Sequence, residues 1–451
     1  MNSPAIRQNI DSWSTLFGAH LRAVMQRSDA ALAKTGYQAL LIHAGTPPLI
    51  FLDDHHLPFK AHAPFKVWAP LSDAPDSFVY YAPGKKPLLL VNQPVDYWHK
   101  SPELPDTYWS GEFEIVSCAD RAAARAALPR DLSRTAFIGQ PFPDLLSWGP
   151  GTINPEHLMA QLDYARAAKT PYEIACLSEA NRLGALGHVA AEKAFRAGAS
   201  EFDIHMAYCS AARQGAAELP YGNIVALNRH GAVLHYMDFD RAPPAQLRSF
   251  LIDAGASHAG YACDITRTYS ADPGDEFQAL VNAVDLAQQR MCAQVRAGFD
   301  YRQLHLDAHM ALATILRDFG VITVSPEAAV ATGVSSAFFP HGVGHGIGLQ
   351  VHEVAGFAES DAGGSIAKPE GHPYLRLTRM LEPGMVVTIE PGIYFIDMLL
   401  DALRAGPHAG SVDWARVDAF RPFGGIRIED DVVCTDAAPV NLTREGFAAL
   451  A

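Results

Sequence analysis

The sequence predicts a protein of α/β (α+β) class with two domains, a mixed α/β domain at the N-terminus and a larger one after it. Three observations predict this. The length of 451 residues exceeds that of one ordinary domain. Strand-sized apolar runs alternate with helical patterns up to about residue 150. A segment punctuated by Pro150, Gly151 and Pro155 follows, and then a new helix start. We place the boundary near residue 165, which gives domains of residues 1–165 and 166–451.

The first domain is predicted to begin with a helix and to continue with short strands. The segment SWSTLFGAHLRAVMQRSDAALAKTG repeats apolar residues at helical spacing and closes at Gly36. The predicted strands are apolar runs bounded by Pro, Gly or polar residues, namely ALLIHAG, SFVYYAP, KPLLLVN, FEIVSCA and TAFIGQP. The segment NPEHLMAQLDYARAAK predicts the helix that leads out of the domain.

Two helix-start signals introduce the second domain. Thr170 is a predicted N-cap, Pro171 suits the first helical position, and Glu173 suits the reciprocal bond of a capping box. Ser200 and Asp203 stand in the same relation at the start of the next helix. Beyond them, strands and helices alternate with long loops.

Composition and charge exclude several classes of protein. With 49 acidic and 35 basic residues the formal charge is −14, which disfavours a nucleic-acid partner. The longest apolar runs are strand-sized, so no membrane span is expected, and the N-terminus shows no secretory pattern. The six cysteines have no CxxC spacing and are typical of reduced packing residues. We therefore expect a cytoplasmic protein without nucleic-acid or membrane partners.

The segment SFLIDAGASHAGYACDITRTY, residues 249–269, predicts a hairpin with its turn at Gly260. If the hairpin is centred near residues 258 and 259, Asp253 pairs directly with Asp264. At about 4 Å and an effective dielectric of about 20, two such charges repel by about 4 kcal/mol. A shared proton, an arginine such as Arg267, or a divalent cation would offset this repulsion, and the hairpin alone leaves the three open.

The segment HGVGHGIGLQVHE, residues 341–353, carries a glycine at every second position from 342 to 348. Those glycines disfavour a helix, although His341 and His345 have the helical spacing of a metal-binding pair. In an extended chain the two histidines share one face, and the opposite face carries no side chain until Gln350. We predict a strand against which another element packs closely.

Two later segments supply further candidate ligands. MVVTIEPGIYF places Glu390 at the end of a strand-like run, and GGIRIEDDVV places Arg427 and Glu429 on one face. With the earlier residues, the candidate metal ligands are Asp253, Asp264, His345, Glu390 and Glu429. Four carboxylates with one imidazole suit Mn²⁺, Co²⁺ or Fe²⁺, and zinc less exclusively. Their four negative charges match a pair of divalent cations, which can hold a bridging hydroxide.

These four segments, in this order, closely resemble the metal-binding segments of the pita-bread metallopeptidases, and most closely those of the bacterial proline dipeptidase (prolidase) branch. The resemblance extends to PYGNIVALNRHGAVLHY, PYLRLTRMLEPGMVV and, more loosely, FLDDHHLPFKAHAPFKVW, so it covers nearly the whole chain. It implies a pita-bread catalytic domain that cleaves Xaa-Pro dipeptides to an amino acid and proline. It also implies two divalent ions per subunit, Mn²⁺ first, with Co²⁺, Fe²⁺ or Zn²⁺ possible.

The resemblance also implies roles for individual residues. The same five residues become the metal ligands, and Glu390 is also the general base for the metal-bridging hydroxide. His352 donates to the oxyanion or the scissile amide, and His235 and His341 line the pocket. Arg376 receives the C-terminal carboxylate of the dipeptide. Arg427 orients Glu429 or His341, and Tyr221 lies near the metals. The resemblance gives no role to His258, His305, His309 or His408, which we predict to be structural or exposed.

The resemblance further implies a homodimer. In the relatives, the N-terminal domain packs against a second subunit and helps to close the pocket, and Asp53 and Asp54 mark the expected contact. Alternatives in the same class are removal of an N-terminal residue before proline, as by aminopeptidase P, and a side activity on organophosphorus esters. A different class is a non-catalytic peptide-binding module of the same fold, against which the five metal-competent positions argue.

Overall fold

The computed structural model describes residues 4–98 and 100–450, with the backbone alone for residues 4–11. The chain divides into two compact units. The first comprises Met1–Ala175 with Ser360–Gly364, and the second comprises Cys176–Glu359 with Ser365–Ala451. Both contain helices and strands, which confirms the predicted mixed α/β class.

The helices and strands are numbered here in chain order. The helices are α1 Pro4–Thr35, α2 Ala63–Lys66, α3 Arg121–Ala127, α4 Leu145–Trp148, α5 Glu156–Arg166, α6 Pro171–Arg196, α7 Glu201–Ala212, α8 Glu276–Cys292, α9 Tyr301–Asp318, α10 Pro326–Ala331, α11 Val334–Phe338, α12 Asp397–Ala405, α13 Trp414–Phe420 and α14 Leu442–Ala448. The strands are β1 Ala39–His43, β2 Phe78–Tyr81, β3 Leu88–Asn92, β4 Glu114–Cys118, β5 Thr135–Ile138, β6 Thr152–Ile153, β7 Ile224–Leu227, β8 Ser249–Asp253, β9 Ser257–His258, β10 Tyr261–Ala262, β11 Thr266–Ser270, β12 Ala358–Ser360, β13 Gly363–Ser365, β14 Val386–Ile389, β15 Gly392–Tyr394, β16 Gly425–Arg427, β17 Asp430–Val433 and β18 Val440–Asn441. None of the described helices combines the length and apolar character that a membrane crossing requires.

The first unit is built on a mixed sheet of six strands in the order β4-β3-β2-β1-β5-β6. Strand β1 pairs antiparallel with β2 and parallel with β5. The five strands predicted from the sequence are β1 to β5. The predicted opening helix ends as expected, because the Gly36 N–H bonds to the Leu32 carbonyl with a positive φ of 80°. The sheet packs on an apolar cluster that includes Leu41, Phe78 and Phe137.

The second unit contains a three-stranded sheet in the order β11-β8-β7, which has one face covered by helices. Phe250 and Ile252 of β8 are fully buried in a cluster with Phe195 of α6 and Tyr208 of α7. Successive strand residues point to opposite faces, so Asp253 lies on the face away from these helices. The packing of β8 thereby selects the face on which a polar site can form.

The helix-start signals are confirmed at Thr170 and in part at Ser200. The Thr170 N–H donates to Glu173 Oε2 at 2.8 Å, and the Glu173 N–H donates to Thr170 Oγ1 at 3.4 Å. At the next helix the Asp203 N–H donates to Ser200 Oγ at 3.2 Å. The Asp203 carboxylate accepts from the Ser200 hydroxyl at 2.6 Å. In a complete capping box it would accept from the Ser200 backbone N–H instead.

The predicted direct pairing of Asp253 with Asp264 is wrong. Asp253 pairs with Thr266 across β8 and β11. The two-residue turn is at Ala259 and Gly260, which have positive φ values of 50° and 85°, so the hairpin centre lies one residue further along the chain. This displacement changes the partner by two residues, so Asp264 keeps the predicted face as a diagonal neighbour of Asp253.

The glycine-rich segment is extended but is not a regular strand. It forms a single bridge, from Gly346 to Val387, and runs beside β14. The Thr388 N–H donates to the His345 carbonyl at 2.8 Å, and the Glu390 N–H donates to the Val343 carbonyl at 2.8 Å. The predicted close packing is confirmed at Gly344, where φ is +151° and a Cβ would overlap the Thr388 carbonyl oxygen. A substituent there would displace the backbone that carries His345.

Candidate metal centre

The centre of the site is a buried group of Asp264, His345 and Glu429, whose candidate ligand atoms lie within 4.8 Å of one another. His345 Nε2 is 3.5 Å from Asp264 Oδ2 and 3.8 Å from Glu390 Oε1. The other ring nitrogen, Nδ1, donates to the Gly346 carbonyl at 3.1 Å. When the ring is neutral and Nδ1 carries the proton, Nε2 has a lone pair, and this lone pair faces the carboxylates. Neutral histidine with a free Nε2 lone pair is the form that binds a metal.

Asp253 joins this group through Tyr221. The Tyr221 hydroxyl is 2.8 Å from Asp253 Oδ1 and 2.5 Å from Asp264 Oδ1. Because the hydroxyl has one proton, it donates to one carboxylate at a time. The structure therefore brings all five predicted ligands together, although the residues span positions 253 to 429 of the sequence.

Arg427 binds Asp253 directly and reaches its predicted targets only through other residues. Its Nη2 donates to Asp253 Oδ2 at 2.6 Å, and its Nη1 donates to the Tyr394 hydroxyl at 2.8 Å. His341 donates through Nδ1 to the Gly342 carbonyl, so its Nε2 accepts from the Tyr394 hydroxyl at 2.8 Å. Arg427 therefore reaches His341 through Tyr394, and its role in orienting His341 or Glu429 stays a prediction.

Thr266 makes the connection to Glu429. Its hydroxyl donates to Glu429 Oε2 at 2.8 Å and accepts from Arg427 Nε at 3.2 Å. Neither Thr266 nor Tyr394 was predicted as a site residue. Strand alternation was the available signal for Thr266, which is two residues beyond Asp264 and so shares its face.

Asp431 is a further residue that the sequence did not indicate. It is buried, and its Oδ2 accepts from the Asp264 N–H at 3.1 Å and from Asn181 Nδ2 at 2.8 Å. It therefore fixes the backbone of Asp264. Its neighbour Asp430 points the other way and accepts from Arg267 Nη2 at 2.7 Å. Of the three alternatives for Asp253 and Asp264, an arginine therefore contributes, but it is Arg427 on Asp253 and not Arg267.

Burial of four carboxylates strongly shifts their protonation. Burial raises the pKa of Glu390 to about 7, with the charges of Asp264 and Asp253 adding to it and His345 and Arg427 opposing it. Burial and three neighbouring carboxylates raise the pKa of Glu429 well above its usual range. Burial also raises the pKa of Asp253, although Arg427 opposes it. For Asp264, hydrogen bonds from His345 and Tyr221 outweigh burial and lower the pKa.

This charge balance fits divalent cations. Arg427 supplies one positive charge to four carboxylates, so the remaining charge must be offset by protons or by cations. Oxygen donors with one imidazole nitrogen are a ligand set for Mn²⁺ and related ions. The oxygen and nitrogen donors of these five residues therefore fit a centre for such divalent ions.

The other predicted site residues are exposed. The His352 ring lies edge-on to the His345 ring at 4.3 Å. Burial and the charges of His345 and Arg376 lower the pKa of His352 to about 4, with His235 also contributing. Within the described residues, the side chains of His235 and Arg376 make no hydrogen bond or ion pair, so they are available to a bound molecule.

In the first unit, Asp53 and Asp54 are exposed. His55 Nδ1 lies 2.9 Å from Asp53 and 3.1 Å from Asp54. The preceding Phe51 and Leu52 are 88% and 91% exposed. The structure thus gives this segment a surface position, and its predicted contact with a second subunit stays a prediction.

Comparison with known families identifies the type of protein. The model of metallopeptidase family M24 matches residues 175–436, and the model of an Xaa-Pro dipeptidase N-terminal domain matches residues 15–164. The chain belongs to metallopeptidase family M24. The resemblance of the metal-binding segments to this family of peptidases is thereby confirmed.

Two relatives match the chain along nearly its whole length. It is 58% identical over 438 residues to the Xaa-Pro dipeptidase of Xanthomonas axonopodis pv. citri, covering 97% of this chain and 99% of the relative. It is 56% identical over 434 residues to the Xaa-Pro dipeptidase of Stenotrophomonas maltophilia, covering 96% and 98%. The identity therefore extends over nearly the full length of this chain and of both relatives.

Solved structures of aminopeptidases share the fold of this M24 chain. Proline aminopeptidase P II from Yersinia pestis matches with a TM-score of 0.70 at 23% identity, over 96% of this chain and all of that chain. Aminopeptidase P from E. coli in its low pH form matches with a TM-score of 0.71 at 22% identity, over 95% and 97%. At 22–23% sequence identity, these matches show that the fold is shared.

Proposed function

We propose that the chain is a dinuclear-metal hydrolase that cleaves Xaa-Pro dipeptides to a free amino acid and proline. The observation that carries the proposal is the convergence of four carboxylates and one imidazole, three of these groups buried and two partly buried, in a member of a metallopeptidase family. The identity of 58% to an Xaa-Pro dipeptidase, over 97% of the chain, supports the substrate class.

Asp253, Asp264, His345, Glu390 and Glu429 are the proposed ligands of two divalent cations. These residues would hold the pair, whose chemistry would be to polarise a carbonyl and to make a bound water more acidic. Mn²⁺ is the first candidate because carboxylate-rich sites favour hard ions, with Co²⁺, Fe²⁺ and Zn²⁺ as alternatives. Tyr221 and Arg427 hold Asp253 in place from either side.

Glu390 is the proposed general base. Its carboxylate lies 3.8 Å from His345 Nε2, within the group of proposed ligands, so it is placed to take a proton from a water held there. His352, with a pKa of about 4, is neutral there and can donate a ring N–H to the developing oxyanion. His235 and His341 are the proposed pocket-lining histidines, and burial lowers the pKa of His341 to about 3, so it is also neutral.

Arg376 is the proposed partner of the substrate carboxylate. Its exposed guanidinium has no internal partner among the described residues and can bind a carboxylate through two hydrogen bonds. A free carboxylate at this position is what distinguishes a dipeptide from the longer peptides of an aminopeptidase P. Arg376 thereby favours the dipeptidase over that alternative.

We also propose a homodimer located in the cytoplasm. Leu49 to Leu52 are four consecutive exposed apolar residues beside Asp53 and support a protein contact on the first unit, since a contiguous exposed apolar patch marks an interaction surface. The six cysteines are all free, which suits a reducing compartment.

The test is proline release by the full-length protein loaded with Mn²⁺, using Ala-Pro and Ala-Pro-Ala as substrates. We expect release of proline from Ala-Pro and much slower cleavage of the tripeptide. Asp264→Asn should lose both activity and bound metal, whereas Asp436→Asn, an exposed control, should retain them. A paraoxon assay on the same samples tests the organophosphorus side activity.

A wild type that binds no divalent ion and releases no proline would contradict the proposal and favour the peptide-binding module. Faster cleavage of the tripeptide than of the dipeptide would favour the aminopeptidase alternative.

A further inference from the structure

A second group of ligand-type side chains in the second unit consists only of histidines. His305 and His309 lie on α9 and are each 1% exposed, and half-buried His372 lies in the loop before β14. One ring nitrogen of each lies within 4.8 Å of the others. None of the three is among the proposed ligands of the carboxylate-rich centre.

Local structure accounts for the meeting of these rings. The spacing of four residues places His305 and His309 on one face of α9, with their ring centroids 4.8 Å apart. The His372 ring lies 4.6 Å from each of the other two. His305 Nε2 is 2.9 Å from His372 Nδ1. Three imidazoles from two separate elements thus face one another.

The rings are in the protonation state that binds metal. Burial lowers the pKa of His305 to about 2 and that of His309 to about 3, and the neighbouring histidines add to both shifts. Burial also lowers the pKa of His372. At neutral pH the three rings are therefore uncharged, and each has one nitrogen lone pair. One of these lone pairs accepts the hydrogen bond between His305 and His372, which a bound cation would replace.

The hydrogen bonds of the group are incomplete. His309 Nδ1 is 3.1 Å from Ser335 Oγ, and when this nitrogen carries the proton, Nε2 is left as a lone pair. His305 Nδ1 is buried and has no hydrogen-bond partner among the described residues. An orphaned buried polar atom costs about 1–3 kcal/mol. The cluster is therefore not a closed network that packing and hydrogen bonding alone explain.

We propose that His305, His309 and His372 form a binding site for one transition-metal ion, with Zn²⁺ as the best match. Three imidazoles and a water complete the four-coordinate set that zinc prefers. No carboxylate belongs to this group, so Mn²⁺ is a poor match. The two sites of the chain thereby select different ions through their donor atoms.

The position of this site gives the ion a structural role. His372 lies four residues before Arg376 in the same loop, so an ion bound to all three histidines ties that loop to α9. The Phe339 ring lies 4.9 Å from the His309 ring and 4.8 Å from the His341 ring, which joins the cluster to the proposed substrate pocket. The ion is a positioning element for the loop and does not touch the reacting atoms.

The test measures zinc bound to the full-length protein. Metal-free wild type, His372→Leu and His408→Leu are dialysed against excess Zn²⁺, and the bound zinc is measured by mass spectrometry. His408 is a partly buried loop histidine outside the cluster and serves as the control. We expect the wild type and His408→Leu to hold one zinc ion per chain more than His372→Leu. Equal zinc content in all three proteins overturns the proposal.

Two further measurements separate this site from the carboxylate-rich centre. Asp264→Asn is expected to keep the zinc ion of the histidine cluster, which His372→Leu loses. The zinc proposal can therefore be tested even if the dipeptidase proposal fails. Wild-type crystals soaked in Zn²⁺ should show an anomalous-scattering peak between the three rings at the zinc absorption edge. Absence of that peak overturns the proposal whether or not the variants fold.

Discussion

The Arg427 guanidinium illustrates how single side chains set up the metal centre. It is 4% exposed and donates to Asp253, Thr266 and Tyr394 through three different nitrogen atoms. A planar group with several donors in fixed directions is required for this, and a lysine ammonium could not reproduce the geometry. The arginine therefore holds one proposed ligand directly and two other site residues indirectly.

The Arg376 guanidinium is predicted to act on substrate binding. Arg376→Ala should raise the KM for Ala-Pro by about 10- to 100-fold, the equivalent of a charge-assisted hydrogen bond of about 1.5–3 kcal/mol. The kcat should change little, because the carboxylate contact is present in both ground and transition states. Steady-state kinetics of the Mn²⁺-loaded protein measure both constants.

The control for Arg376 is the exposed Arg290 of α8, for which Arg290→Ala should behave as wild type. The amide Ala-Pro-NH₂, which has no carboxylate, should be cleaved equally by Arg376→Ala and wild type. An unchanged KM for Ala-Pro in Arg376→Ala would show that another group receives the carboxylate.

Sequence pattern indicated the proposed ligands more readily than their supporting residues. Asp253 and Asp264 stand out because charged residues in an apolar strand need a compensating partner. Thr266, Tyr394 and Asp431 do not stand out, because a buried hydroxyl or carboxylate can be satisfied by many local partners. Their roles depend on contacts such as that of Asp431 with Asp264, which are 167 residues apart in sequence.

Among the secondary-structure elements, the hairpin of β8 and β11 shows which part of a strand prediction is robust. The face of each residue follows from alternation and was correct for Asp253 and Asp264. The register depends on the turn, and the turn residues Ala259 and Gly260 lack the strong Asn-Gly signal that would have fixed it. The partner of Asp253 is Thr266, two residues beyond the predicted Asp264, so the pairing differs but Asp264 stays on the face where the site forms.

The segment beside β14 gives a prediction that separates two neighbouring glycines. Gly344→Ala should destabilise the second unit by about 3 kcal/mol or more, because φ is +151° and the added Cβ meets the Thr388 carbonyl oxygen. Gly346→Ala should cost about 1 kcal/mol or less, since its nearest neighbour, Glu353 Cβ, would lie 3.4 Å away. Urea unfolding measures both free energies.

The same two variants test whether the backbone at Gly344 positions the proposed metal ligand His345. Gly344→Ala should also weaken metal binding, because the displaced chain carries His345, whereas Gly346→Ala should bind metal as the wild type does. Similar free energies of unfolding for the two variants would contradict the packing argument.

For the chain as a whole, metal binding and stability are coupled. The proposed ligands are brought together only when the second unit folds, so the unfolded chain cannot reproduce the site and bound metal stabilises the fold. The formal charge of −14 includes these four carboxylates, and two divalent ions would offset them. Folding without metal therefore leaves protons on the buried carboxylates.

Mn²⁺ should accordingly stabilise the protein more at pH 8 than at pH 6. The raised pKa of Glu390, about 7, means that the ion must displace a proton below that pH, so affinity falls as the pH falls. From Glu390 alone, affinity should be about tenfold weaker at pH 6 than at pH 8, and the raised pKa values of Glu429 and Asp253 act in the same direction.

Calorimetric scans with and without Mn²⁺ at the two pH values measure this effect as a shift in Tm. An ion present at about 100 times its Kd adds about 2.7 kcal/mol, which corresponds to a rise of about 5 °C in Tm for the second unit. Asp436→Asn should keep the full shift and its pH dependence, whereas Asp264→Asn should lose most of it. An equal Mn²⁺-induced shift at pH 6 and pH 8 would mean that the buried carboxylates are already ionised in the metal-free chain. The charge repulsion inferred for the carboxylate-rich centre would then have to be offset by something other than protons.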